Sequence, residues 1–116
     1  MTGFGLLGHA THIARASKVA LRIHVSRVPT LAGTREAWRA GARTGGAERN
    51  EEYLRDRVKW GGATDEDRAV LVDPQTSGGL LVAVSAEGLG EYLSAVPTAV
   101  EIGEVVEPSD RDVVLD

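Results

Sequence analysis

A run of glycines leads directly into an apolar, helix-like segment at the start of the chain. Residues 2–9 read Thr-Gly-Phe-Gly-Leu-Leu-Gly-His. Glycine turns ahead of a helix let backbone N–H groups approach an anion, and the helix dipole favours negative charge at that end. We therefore predict that any nucleotide contact involves this turn, with the following candidate residues: Thr2, Gly3, Phe4, Gly5 and Gly8. The alternative is that these glycines serve only tight turning.

A second polar turn lies between two apolar segments, where residues 73–80 read Asp-Pro-Gln-Thr-Ser-Gly-Gly-Leu. The paired glycines permit a positive φ or a close backbone contact. This segment is either a ligand loop or a turn that sets the register of the strand after it. Its candidate ligand residues are Gln75, Thr76, Ser77, Gly78 and Gly79. Ser77 lacks a Gly-x-Ser-x-Gly context, which argues against a serine hydrolase.

The third segment, residues 45–50, reads Gly-Gly-Ala-Glu-Arg-Asn. It is either a flexible anion-binding loop with Asn50 as a ligand, or a solvated connection in which Asn50 caps a short helix. The cap is the preferred interpretation, because Glu51 and Glu52 then lie in the first turn, near the positive end of the helix dipole.

Metal and thiol chemistry have little support in the sequence. His9 and His12 share one face of the predicted helix, but no third ligand lies nearby in sequence, so no metal site is predicted. The chain has no cysteine, which excludes a disulfide, a thiolate metal site and a cysteine nucleophile.

The elements that must position these segments alternate between helix and strand. Helices are predicted over residues 6–16, from Pro29 to Gly41, from Thr64 to before Pro74, and over 87–94; strands are predicted over 20–25, 56–60, 80–84 and 99–106. The unbroken apolar run Leu80–Val84 predicts an inner strand of the sheet. We expect a single α+β domain over residues 1–107, with a mixed β-sheet packed with helices. Residues 108–116 form a tail, in which 113–115 are either a short strand or disordered.

Length and charge limit the function classes. The chain has 116 residues and a net charge of −4, with acids and bases mixed along it, so no nucleic-acid partner is expected. No apolar run is long enough to cross a membrane, and residues 1–20 do not resemble a signal peptide. A cytoplasmic location is therefore expected.

Taken together, the three segments resemble the C-terminal domain of selenophosphate synthetases (selenide, water dikinases). The motifs at 2–9, 45–50 and 73–81 occur in that order in this family, and the resemblance extends from residue 2 to about residue 107. The resemblance implies a fold like that of the C-terminal domain of aminoimidazole ribonucleotide synthetase, a member of the same superfamily.

The resemblance implies part of a two-domain enzyme that converts selenide, ATP and water to selenophosphate, AMP and phosphate. ATP and Mg²⁺ would serve the complete enzyme, and neither is expected on this chain alone. The reactive cysteine or selenocysteine, a lysine and most magnesium ligands would lie in the missing N-terminal domain, the expected partner. The isolated chain is then expected to be inactive and to self-associate weakly through the side that bears Phe4.

Two alternatives stay open from the sequence. The chain is either a stand-alone, non-catalytic binding or structural module, or the equivalent domain of another ATP-using member of the superfamily. The coding sequence upstream of Met1 and substrate assays of a complete protein distinguish these alternatives.

Overall fold

The computed structural model describes all residues from Met1 to Asp116. The elements, in chain order, are α1 (Gly5–Ser17), β1 (Ala20–Ile23), a 3₁₀ turn (Val25–Arg27), α2 (Thr34–Arg39), α3 (Gly45–Leu54), β2 (Val58–Lys59), α4 (Asp65–Val72), α5 (Leu89–Ala95), β3 (Gly103–Val106) and β4 (Val113–Leu115). None of these helices is long and apolar enough to cross a membrane.

The four strands form one mixed sheet in the order β2-β4-β1-β3. Strand β1 pairs antiparallel with β3 and parallel with β4, and β2 pairs parallel with β4. Helices α1, α3 and α4 contact one another, and α1 also packs on β1 and β4. The predicted α+β class, with a mixed sheet packed with helices, is confirmed.

The core lies between these helices and the sheet, and its side chains are aliphatic. Its buried residues are Leu6, Leu7, Ala10, Ala14, Leu21, Ile23, Leu54, Val58, Leu71, Val72, Val113 and Leu115. Four of them come from α1, where they recur at helical spacing and form one apolar face of the helix.

Residues 108–116, which were expected from the sequence to form a tail, contain strand β4. This strand lies between β2 and β1, and both Val113 and Leu115 are buried. Of the two alternatives for residues 113–115, the short strand is the one that the structure shows.

The prediction that Leu80–Val84 is an inner strand is wrong. These residues belong to no strand, and the Leu80 side chain is 88% exposed. An apolar run indicates a preference for burial, but it does not identify a neighbouring strand that supplies ladder hydrogen bonds. Both edges of β1 are taken by segments distant in sequence, β3 and β4.

The predicted role of Asn50 as a helix cap is also wrong. Helix α3 begins earlier, and Thr44 is its N-cap, with the hydroxyl accepting a hydrogen bond from the Ala47 amide at 3.2 Å. Thr and Asn both cap helices well, so the residue type alone did not identify the position. Asn50 therefore lies in the middle of helix α3, and its side chain does not cap that helix.

Candidate functional site

The three segments identified in the sequence meet at one place, which we call the junction: residues 1–4, Asn50 and residues 73–79. The Thr2 carbonyl oxygen accepts hydrogen bonds from the amides of Gly5 at 3.1 Å and Gln75 at 3.0 Å. The Met1 carbonyl oxygen accepts one from the Gly78 amide at 3.1 Å. The first turn and the 73–79 loop are thus joined through their backbones.

Asn50 connects the third segment to the other two. Its Nδ2 donates to the carbonyl oxygen of Gly3 and to that of Val72, both at 2.9 Å. Helix α3 presents this amide to the turn before α1 and to the end of α4 together. Because both acceptors are backbone carbonyls, Asn50 positions the junction, and its amide nitrogen is not free to bind a ligand.

Gly5 and Gly78 are required by close backbone approach. Gly5 has a φ of +66°, and a Cβ there would lie 2.7 Å from the carbonyl carbon of Val72. A Cβ on Gly78 would lie 2.8 Å from the Met1 carbonyl oxygen. Any side chain at either position would push the segments of the junction apart.

Of the backbone amides in residues 2–5, two donate hydrogen bonds within the protein and two do not. The Thr2 amide donates to His9 Nε2 at 2.9 Å, and the Gly5 amide donates to the Thr2 carbonyl. The amides of Gly3 and Phe4 make no hydrogen bond within the protein. They lie just ahead of α1, whose first turn has no side-chain cap and no acidic residue.

The candidate residues of the turn differ in exposure. Thr2, Gly3 and Phe4 are exposed, whereas Gly5 and Gly8 are buried at the start of α1. In the second segment, Thr76, Ser77 and Gly79 are exposed, and Gln75 and Gly78 are partly buried. The surface available to a ligand therefore consists of Thr2–Phe4 and the tip of the 73–79 loop.

His9 is held in its neutral form by the same turn. Burial, followed by the positive charge of the N-terminal amine and that of His12, holds the pKa of His9 below its usual value. Accepting the Thr2 N–H requires an unprotonated Nε2, so the ring proton lies on Nδ1. The Asp73 carboxyl, at the C-terminal end of α4, has a raised pKa because it is partly buried.

An aromatic surface, which sequence reasoning missed, adjoins the junction. It consists of Phe4, His9, His12 and Tyr53, with edge-to-face ring pairs whose centroids lie 5.3–6.4 Å apart. The Arg57 guanidinium stacks on the Tyr53 ring at 4.2 Å. The signal available in the sequence was the proximity of Phe4 to two histidines on one helix face; nothing in it connected Tyr53 to them.

Metal binding and pocket binding elsewhere in the chain have weaker support than the junction. No three His, Asp or Glu side chains gather in a way that could hold a metal ion. An open pocket of about 420 Å³ is lined by Glu48, Glu51, Glu52, Arg55, Trp60 and Arg68. Its charges are mixed, and Glu48 is the only lining residue that comes from the three segments, so the junction is the better candidate.

Comparison with known proteins places these features in a family. The family described as AIR synthase related protein, C-terminal domain, matches residues 1–116. Curated relatives named selenide, water dikinase include that of Bdellovibrio bacteriovorus, 37% identical over 120 residues that cover 100% of this chain and 34% of that protein. The protein of that name from Pseudomonas aeruginosa is 40% identical over 111 residues, which cover 92% of this chain and 32% of that protein. The chain spans about a third of the length of these relatives.

Proposed function

Because the chain belongs to the family of the AIR synthase related protein C-terminal domain, we propose that it is the C-terminal domain of an ATP-dependent selenophosphate synthetase. The complete enzyme would convert selenide, ATP and water to selenophosphate, AMP and phosphate. Support comes from relatives that carry the name selenide, water dikinase and are about three times as long as this chain.

The observation that carries the proposal is the junction itself. Three segments that resemble one enzyme family, separated by up to about 70 residues in the chain, converge through Asn50 and the Met1 and Thr2 carbonyls. A structural turn alone explains one glycine cluster at a time; it does not explain why all three motifs share one surface.

Within the proposed enzyme, this chain contributes one wall of the nucleotide cleft. The free amides of Gly3 and Phe4 donate to a phosphate oxygen, and the uncapped end of α1 favours its negative charge. Asn50 and Gly5 hold the turn in the geometry that presents these amides.

Magnesium would serve this reaction by neutralising charge on the phosphates as the phosphoryl group is transferred. The carboxylates of this chain do not gather into a metal-binding group, so its residues do not fit a resident magnesium site by themselves. We therefore assign the metal ligands, the reactive residue and the lysine to the N-terminal domain, and we assign no catalytic residue to this chain.

Weak binding and no turnover are expected of the isolated chain. A helix end contributes about 0.3–1 kcal/mol toward an exposed anion. A millimolar dissociation constant corresponds to about 4 kcal/mol. One such contact is therefore too weak for useful affinity until the other wall of the cleft is present.

The test is an amide titration of the labelled chain with ATP and, as a control, with adenosine. ATP is expected to shift the Gly3 and Phe4 amides slightly without saturating below the millimolar range, and adenosine, which lacks phosphates, is expected to leave them in place. Incubation with ATP, selenide and magnesium should release no AMP above a buffer blank. Micromolar binding centred elsewhere, or selenide-dependent AMP release, would contradict the proposal.

A further inference from the structure

Residues 80–84 form an unpaired apolar segment. None of their amides or carbonyls takes part in a backbone hydrogen bond. Leu81 packs against the core, whereas Leu80 and Val82 on either side of it are 88% and 48% exposed. From Leu80 to Val82 this is the alternation of a β-strand with one packed face, and Ala83 and Val84 after them are both exposed. Residues 80–82 thus have the side-chain pattern of a strand, and the backbone of residues 80–84 lacks a hydrogen-bonded neighbour.

Met1 marks where a neighbouring strand begins. The Gly78 amide donates to the Met1 carbonyl at 3.1 Å, and the Met1 amine donates to the Gly78 carbonyl at 3.4 Å and to that of Gly79 at 2.6 Å. A reciprocal pair of this kind is the hydrogen-bonded pair of an antiparallel ladder. In the same register, the residue before Met1 would lie opposite Gly79, and the one before that opposite Leu80.

The longer relatives supply a polypeptide at this place. This chain covers 34% of the Bdellovibrio bacteriovorus protein, and the matched family is a C-terminal domain, so most of the remaining length precedes the matched region. No charged side chain lies between Asp73 and Glu87, so a neighbouring strand meets no charge along the whole segment.

We propose that the polypeptide preceding this domain adds to it as an antiparallel strand along Leu80–Val84. The pairing supplies the missing ladder hydrogen bonds and covers part of the exposed apolar surface. It also fixes how the preceding domain enters, beside the 73–79 loop of the junction. The proposal rests on the position of the domain in its family and not on the catalytic function.

The register makes the proposal specific at single amides. Hydrogen-bonded pairs recur every second residue in an antiparallel ladder. Starting from the pair at Gly78, the amides of Leu80, Val82 and Val84 face the added strand, whereas those of Leu81 and Ala83 face away.

The experiment compares three forms of the chain by amide hydrogen exchange. One is the chain itself. The second carries, ahead of Met1, the six residues that precede the aligned region in the Bdellovibrio bacteriovorus protein. The third carries a Pro-Gly repeat of the same length, which places a proline without an N–H opposite each of Leu80, Val82 and Val84 and so cannot donate the ladder bonds. The relative's extension is expected to slow exchange at Leu80 and Val82 by at least about tenfold, with Leu81 and Ala83 unchanged.

Three results would overturn the proposal. The first is equal exchange in the two extended chains. The second is equal protection of all the amides from Leu80 to Val84, because this is not the pattern of the ladder. The third is protection in the chain without an extension that rises with protein concentration, because a second copy then occupies the segment. ATP and selenide are not needed, so failure here leaves the proposed function untouched.

Discussion

At the scale of single residues, Asn50 is the side chain on which the junction depends most. Its amide nitrogen serves two carbonyls that belong to different elements. Asn50→Ala removes both bonds and is expected to lower the free energy of unfolding by about 2 kcal/mol, because two acceptors lose their donor. Chemical denaturation measures this loss.

Two further substitutions sharpen the test of Asn50. Asn50→Asp keeps the shape but replaces the donor by a carboxylate that faces two carbonyl oxygens, so it is expected to destabilise at least as much as alanine at neutral pH. Arg49→Ala, on the exposed side of the same helix, is expected to change stability by less than about 0.5 kcal/mol. A mild effect of Asn50→Asp would show that the Nδ2 bonds contribute little.

His9 gives the junction a pH dependence. Its pKa is lowered in the folded protein, by burial first and then by the charges of the N-terminal amine and His12. The unfolded chain therefore binds a proton at higher pH than the folded one, and stability falls as pH drops below about 6.5. His9→Gln retains an acceptor for the Thr2 amide without titrating, so it is expected to flatten this decline. Thermal unfolding between pH 8 and pH 5 compares the two proteins, and identical profiles would exclude the role of His9.

At the scale of elements, α2 is held to the domain by charge. It buries no residue, and Arg35 donates to Glu66 at 2.9 Å and to Asp67 at 2.8 Å, both in the first turn of α4. The hydrogen bond from Arg35 lowers the pKa of Glu66 first, with Arg39 adding to it. For Asp67, burial raises the pKa, but hydrogen bonds from Thr64 and Arg35 outweigh it and leave the pKa lowered.

Removing the ion pairs of α2 is expected to make this helix open more often without unfolding the rest of the domain. Arg35→Met is expected to speed amide exchange within Thr34–Arg39, while the global free energy of unfolding changes by less than about 1 kcal/mol, since these pairs are partly exposed. Exchange in the wild type should also rise in about 1 M salt, where the Debye length is about 3 Å. Unchanged α2 exchange in both cases would mean that contacts other than the ion pairs hold the helix.

The elements also show what the sequence could and could not predict. The helices predicted over residues 6–16 and from Thr64 rest on local signals, and the structure has both, as α1 and α4. At the start of α4, the Thr64 hydroxyl accepts a hydrogen bond from the Asp67 amide, and the Asp67 carboxylate accepts one from the Thr64 amide. The strand predicted over Leu80–Val84 was wrong, because an apolar run does not reveal whether a neighbouring strand is present to pair with it. Asn50 is not the predicted helix cap, but it belongs to the junction. The sequence could not show this role, because the two carbonyls that Asn50 binds are close to it only after folding.

At the scale of the whole molecule, the aromatic surface predicts where copies of the isolated chain meet. Phe4 is 52% exposed and lies against His9 and His12. Aromatic side chains dominate the energetics of protein interfaces. We expect weak self-association that Phe4→Ser abolishes. Val105→Ser, at an apolar residue that is 51% exposed on the edge strand β3, is the matched control and should leave association unchanged. Sedimentation at rising protein concentration measures the self-association of both variants. If Phe4→Ser and Val105→Ser associate equally, Phe4 is not an interface residue.

The most direct test of the central claim is a chimera. In it, this chain replaces the aligned region of the Bdellovibrio bacteriovorus selenide, water dikinase. The alignment between the two proteins covers 100% of this chain. We predict that the chimera forms AMP in a selenide-dependent way and that the same relative, truncated before the aligned region, forms none. Asn50→Ala in the chimera is expected to lower AMP formation at least about tenfold, since misplacing a positioning group by about 1 Å can cost about a hundredfold. A chimera that is folded and monodisperse, yet forms no more AMP than the truncated relative, would contradict the assignment of this chain as the C-terminal domain of such an enzyme.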